Sequence, residues 1–202
     1  MTEQKFNNGC AVALGNFDGL HIGHKKVLES TLAFSKEHNL EAKVMLFDIH
    51  PREYIYKEKL PRLMSDEDTE KELSSMGFTV CRVSFAEMKD YSCEDFCKKI
   101  LSDKFSAKAA FCGFNYSFGR NGAGDAETLK NLCGRIGIEC FYEEPVSVDG
   151  MTVSSTAIRK YLADELHLDW HNGYYYILYH RRLKNNESKN FLFQIQIFFK
   201  SA

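Results

Sequence analysis

The sequence predicts the α/β class: a doubly wound parallel sheet of about five strands, with a small C-terminal appendage. Two patterns predict it. Short apolar runs alternate with segments of helical period over the first 145 residues, and loops rich in glycine or bearing histidine follow three of those runs. Alternation of this kind implies parallel strands covered on both faces. Ligands in such sheets sit beyond the carboxyl ends of the strands, near the point where strand order reverses.

The elements follow in order. Residues 11–15 form a first apolar strand, and 23–38 a helix with Val27, Thr31 and Phe34 on one side. Residues 42–47 read as a buried strand. Ser65 caps a helix over 65–77, whose first turn holds Asp66, Glu67 and Asp68, a favourable charge for a helix N-terminus. A strand over 79–85 precedes a helix over 92–105, with Phe96, Ile100 and Leu101 inward. The strand 109–113 leads to a helix over 125–137, with Leu129, Leu132 and Ile136 inward, and 139–142 is the fifth strand. A hairpin over 146–153 turns at Asp149-Gly150, and Ser154-Ser155-Thr156 opens a helix to about Ala163. The whole is a Rossmann-like domain over 1–163, followed by an atypical tail over 164–202.

Composition bounds the function. The chain has 202 residues, 44% hydrophobic and 27% charged, with a net charge of −2. No cationic excess marks a dedicated nucleic-acid binder, and no run has the length of a membrane span. The start, 1–8, is polar, so no signal peptide is expected. Seven scattered cysteines, mostly in apolar segments, fit free thiols in a reducing cytoplasm. Cys93 and Cys97 have no second pair at zinc spacing, so no metal site is expected.

The strongest chemical signal is Gly15-Asn16-Phe17-Asp18-Gly19-Leu20-His21-Ile22-Gly23-His24, which follows a strand and opens a helix. A helix N-terminus offers unpaired N–H groups to a phosphate. His21 and His24, three apart, face the same anion, and glycine at 23 lets a ligand approach the backbone. Fixed donors aimed at charge developing on phosphate oxygens accelerate transfer without removing a proton. Later, Ser154, Ser155 and Thr156 present hydroxyls at another helix start, with Arg159 one turn on as a planar fork. An ordinary N-cap is the plain alternative for the serines. Aromatic residues among glycines over 114–124 suit a ring ligand, or else plug the core. His50 reads either as a phosphate contact or as a turn former with Pro51.

The first segment resembles the HxGH motif of the α/β nucleotidyltransferases. Its longer GNFDGxHxGH form is similar to the adenylyltransferase module of bacterial bifunctional riboflavin kinase/FAD synthetases. Three stretches narrow the match. Phe47–Glu53 resembles that family's F-x-P-H-P-R-E loop, with Ile49 in place of proline. Gly113–Arg120 resembles its G-x-x-F-x-F-G flavin loop, with Tyr116 for the first aromatic. Val153–Arg159 matches V-S-S-T-x-I-R without departure. The resemblance spans about 9–163.

The resemblance implies adenylyl transfer from ATP to FMN, giving FAD and pyrophosphate, with no covalent intermediate and with Mg2+ carried on ATP. It implies His21, His24 and Arg159 as catalytic residues. It implies Gly15, Asn16, Phe17, Gly23, His24, Ser154, Ser155, Thr156 and Arg159 around ATP, and Asp18, His50, Asn115, Phe118 and Gly119 around the flavin. Another phosphate acceptor and an inactive nucleotide-binding remnant remain the alternatives. The family's riboflavin kinase domain is longer than the 164–202 segment, which reads as a truncated or frame-disrupted remnant of its start. Riboflavin kinase activity is therefore not expected.

Overall fold

In the computed structural model, which describes residues 9–148 and 150–165, five parallel strands form one sheet. They are β1 (Cys10–Leu14), β2 (Glu41–Phe47), β3 (Thr79–Val83), β4 (Ala107–Gly113) and β5 (Glu139–Glu143), in the order β3-β2-β1-β4-β5. The chain steps outward from β1 to β2 and β3, then returns to the other side of β1 for β4. The reversal of strand order therefore falls between β1 and β4, the position at whose carboxyl ends ligands bind in sheets of this kind.

Every residue of β1 is buried, because this central strand is covered on both faces. Its alternation divides the core. Ala11 and Ala13 face α1 (Ile22–Glu37) and α3 (Asp66–Ser75), in a layer with Val27, Leu28, Val44 and Leu73. Cys10, Val12 and Leu14 face the opposite layer with Phe96, Leu101, Leu129 and Cys133. That layer is built by α5 (Cys93–Asp95), its π-helical continuation Phe96–Lys104, and α6 (Ala126–Arg135). The π-helix shows at its end, where the Phe105 N–H reaches the Ile100 carbonyl five residues back.

The expected Ser65 cap is present, its Oγ accepting the Asp68 N–H, and the structure adds a second, Asp125 Oδ1 accepting the Thr128 N–H. The predicted hairpin pairs β6 (Ser147–Val148) with β7 (Met151–Thr152); Asp149, half of its predicted turn, lies outside the described residues. So does the predicted 164–202 tail beyond Glu165, the last residue of α7 (Ser155–Glu165).

Three local expectations are corrected. Ile136 is not inward: it is the C-cap of α6 and largely exposed, because the left-handed Gly137 already turns the chain. The loop after β2 contains a short helix, α2 (Pro51–Tyr56), which Pro51 starts and His50 caps. The strand read as 79–85 stops at Val83, and Phe85–Met88 forms a turn of helix, α4.

Candidate active site

The loop from Gly15 to His21 leaves β1 in a constrained path. Phe17 and Leu20 hold positive φ of 50° and 40° around Gly19 at 82°, and both side chains are fully buried. Non-glycine residues in this region carry strain that only the surrounding structure maintains. The Phe17 ring packs under Gly15, where a Cβ would lie 3.2 Å from it. Phe17 thus supports the loop from below, and Asn16 is the exposed side chain beside it.

His21 is the N-cap of α1. Its Nδ1 accepts the His24 N–H at 3.3 Å, so the ring proton belongs on Nε2, which is the atom left to donate. The His24 ring stacks on it, with centroids 3.6 Å apart and planes 19° from parallel. A Cβ on Gly23 would lie 3.3 Å from the His21 ring, so glycine at this position makes room for the imidazole. His24 Nδ1 is buried with no hydrogen-bond partner. Such an atom is available to a ligand or water that reaches it.

Both imidazoles are held neutral at pH 7. Burial, and then the Arg159 charge, lowers the His21 pKa to about 4. Burial, then His21 and Arg159, holds His24 well below its ordinary value. His50 repeats the arrangement after the neighbouring strand β2, as the N-cap of α2. Its Nδ1 accepts the Arg52 N–H at 3.2 Å, and burial followed by Arg62, Arg159 and Arg52 lowers its pKa to about 3. The positive charge of this site therefore resides on arginines, and its histidines are neutral hydrogen-bonding groups.

The start of α7 meets the same loop. Ser154 Oγ caps the helix by accepting the Ala157 N–H, Ser155 Oγ donates to the Asp18 carbonyl at 2.9 Å, and Thr156 is exposed. Arg159 pairs with the Asp18 carboxylate, and its Nε donates to the Pro61 carbonyl at 2.7 Å. Two helix N-termini, α1 and α7, thus converge with two imidazoles and one guanidinium at the end of β1. Asp18 is only 3% exposed and turns inward to these partners, not toward an open face.

The expected flavin loop divides. Phe118 is 6% exposed, packed 5.1 Å from the Phe96 ring and stacked on Tyr116. Gly119 lies against Cys93, and the Arg120 N–H donates to the Tyr91 carbonyl, which anchors the loop to the start of α5. The side chains this loop presents outward include Phe114, 40% exposed, and Asn115. The Phe118 ring is part of the core and is not offered for stacking.

Sequence reasoning missed the segment 60–64 and its arginine. Arg62 faces Glu53 at 3.8 Å and Asp66 at 3.4 Å, and it lines a cavity of about 20 Å³ with Asn16, His50 and Arg82. Pro61-Arg62-Leu63 carries no periodic pattern, so only tertiary contact reveals it. Among the described residues, no three His, Cys, Asp or Glu side chains come together in a way that could hold a metal ion. None of the described helices is long and apolar enough to cross a membrane.

A family model described as FAD synthetase matches residues 3–157. The bifunctional riboflavin kinase/FMN adenylyltransferase of Haemophilus influenzae is 34% identical over 163 residues, covering 78% of this chain and 52% of that protein. The protein of the same description from Buchnera aphidicola subsp. Acyrthosiphon pisum is 29% identical, covering 80% and 52%. That from Escherichia coli strain K12 is 28% identical, covering 78% and 51%. The chain spans about half the length of these curated relatives. A solved structure described as a macrolide-efflux protein from Streptococcus pneumoniae superposes with a TM-score of 0.67 at 25% identity, covering 79% of this chain and 53% of that one.

Proposed function

The chain belongs to the FAD synthetase family, and from that premise we propose that it transfers the adenylyl group of ATP to FMN, giving FAD and pyrophosphate. The observation that carries the reading is the stacked pair His21 and His24 at the N-terminus of α1, with the buried Nδ1 of His24 lacking a partner. Neutral donors and a helix N-terminus are what an α-phosphate needs when charge gathers on its non-bridging oxygens.

In this reading an ionised oxygen of the FMN phosphate attacks the α-phosphorus in line. The bond from that phosphorus to the bridging oxygen breaks, and pyrophosphate leaves with the electron pair. No protein nucleophile takes part, so the chain contributes position and charge stabilisation. His21, through Nε2–H, and His24 hold the α-phosphate. Ser154, Ser155, Thr156 and Arg159 at the start of α7 hold the β- and γ-phosphates and then pyrophosphate. Gly15, Asn16, Phe17 and Gly23 shape the ATP side, and His50, Asn115 and Gly119 border the flavin side.

Mg2+ enters as part of the nucleotide substrate. The one acid of the phosphate loop, Asp18, is committed to Arg159 and to two backbone N–H groups, so it is not offered as a metal ligand. The seven cysteines are all free thiols, which supports a reducing cytoplasmic setting.

ATP labelled at the α- or γ-phosphorus, supplied with FMN, tests the proposal. The α label passes to the flavin product and the γ label to pyrophosphate. A γ label on flavin would instead mean phosphoryl transfer. One observation favours a second reading, a different phosphate acceptor: the Phe118 ring is buried and not offered to a flavin. Pantetheine phosphate and nicotinamide mononucleotide in the same assay distinguish the two.

A further inference from the structure

The Asp18 carboxylate does two separable things. Oδ1 accepts the backbone N–H of Leu63 at 2.9 Å and of Met64 at 3.1 Å. Oδ2 forms the ion pair with Arg159. The Asp18 carbonyl also accepts the Ser155 hydroxyl, and Arg159 Nε is tied to Pro61 of the same 61–64 segment. Three stretches distant in sequence therefore meet at one buried acid: the phosphate loop, the 61–64 segment and the N-terminus of α7. The acid lies in the strained part of its loop, between Phe17 and Gly19, both at positive φ.

We propose that Asp18 is a positioning residue that fixes the Arg159 guanidinium for the pyrophosphate portion of ATP. The proposal deepens the reading of α7 as the pyrophosphate-holding helix and rests on it. An arginine side chain has a long flexible stem, and each rotamer lost on binding weakens the ligand. A carboxylate that orders the fork beforehand removes that loss.

Charge alone predicts the opposite. An acid beside a phosphate site repels the ligand, so removing its charge should tighten anion binding. Positioning and simple electrostatics thus differ in sign, and a structural staple differs from both. Asp18→Asn keeps an oxygen for the Leu63 and Met64 N–H groups and removes the charge that holds Arg159.

The test is calorimetric titration of inorganic pyrophosphate into the full chain, its Asp18→Asn and Arg159→Ala variants, and the double variant. Asp18→Asn should weaken pyrophosphate at least about ten-fold when Arg159 is present and change it less than about two-fold when Arg159 is alanine, the non-additivity expected of directly coupled residues. Tighter or unchanged binding by Asp18→Asn overturns the proposal. So does an equal loss in both backgrounds, which would mark a staple only, or no pyrophosphate binding by the unsubstituted chain. Where Asp18→Asn does not fold, Asp18→Glu in the Arg159 and Arg159→Ala backgrounds serves instead: glutamate keeps the charge and moves the carboxylate away from the place where it orders the fork. Pyrophosphate affinity should again fall about ten-fold when Arg159 is present and less than about two-fold when it is alanine, and unchanged affinity or an equal loss in both backgrounds overturns the proposal. FAD formation is measured separately on the same samples. Pyrophosphate binding without FAD would remove the FMN reading and leave Asp18 its role, whereas FAD formation with additive losses would do the reverse.

Discussion

Lowering the pH from 7.5 to 5 charges His21 in the unfolded chain but not in the folded one. The imidazole is 5% exposed, and its Nδ1 is occupied by the His24 N–H, so a second ring proton must break the cap of α1. Burial first and Arg159 second lower its pKa from 6.5 to about 4. A depressed pKa means that the unfolded state binds more protons in the window between the two values. Stability is therefore full above about pH 6.5, is lost as pH falls toward 4, and loses nothing more from this group below that. At pH 5 the loss from His21 alone is about 2 kcal/mol. His21→Asn isolates it, since asparagine can cap the helix through its side-chain oxygen and does not titrate. Urea unfolding of both chains at pH 7.5 and pH 5 is the assay. The midpoint of the histidine chain should fall by about 1 M more than that of the asparagine chain, for a slope of about 2 kcal/mol/M. Carboxylates contribute alike to both chains and cancel. Parallel midpoints across the two pH values would refute the buried, neutral, capping histidine.

Two further outcomes follow from the same geometry. His24→Ala should lower kcat by about 10²–10³-fold while the KM for ATP changes little, if its proposed role is charge stabilisation in the transition state; equal losses in both constants contradict that role. Gly19→Ala places a methyl 2.8 Å from Leu63 Cβ at a φ of 82°, so the chain should lose about 1–3 kcal/mol. Differential scanning fluorimetry should show a melting point lower by several degrees, and an unchanged one contradicts the strained loop.

The sheet and its two covering layers are legible because β1, β2 and β4 are apolar runs between segments of helical period, a pattern that needs no tertiary knowledge. The Ser65 cap is legible from local sequence too, being a side-chain oxygen three residues before the N–H it binds. The π-helix is not, because Ser92–Phe105 has the composition of an ordinary helix, and only the Phe105-to-Ile100 bond reveals the added residue per turn. In the candidate site, the closeness of His21 and His24 follows from their spacing. The partners of Asp18 do not: Leu63, Met64, Ser155 and Arg159 lie 45 to 141 residues away in sequence. The Phe118 ring marks a similar limit. An aromatic between glycines reads equally as a ligand platform or as a core plug, and the packing against Phe96 and Tyr116 decides for the core.

Adenylyl transfer to FMN is tested most directly by incubating the purified chain with FMN, ATP and Mg2+ and separating the flavins. FAD and pyrophosphate in equal amounts from FMN are the expected result. Folded chain that binds ATP yet forms no FAD from FMN would contradict it.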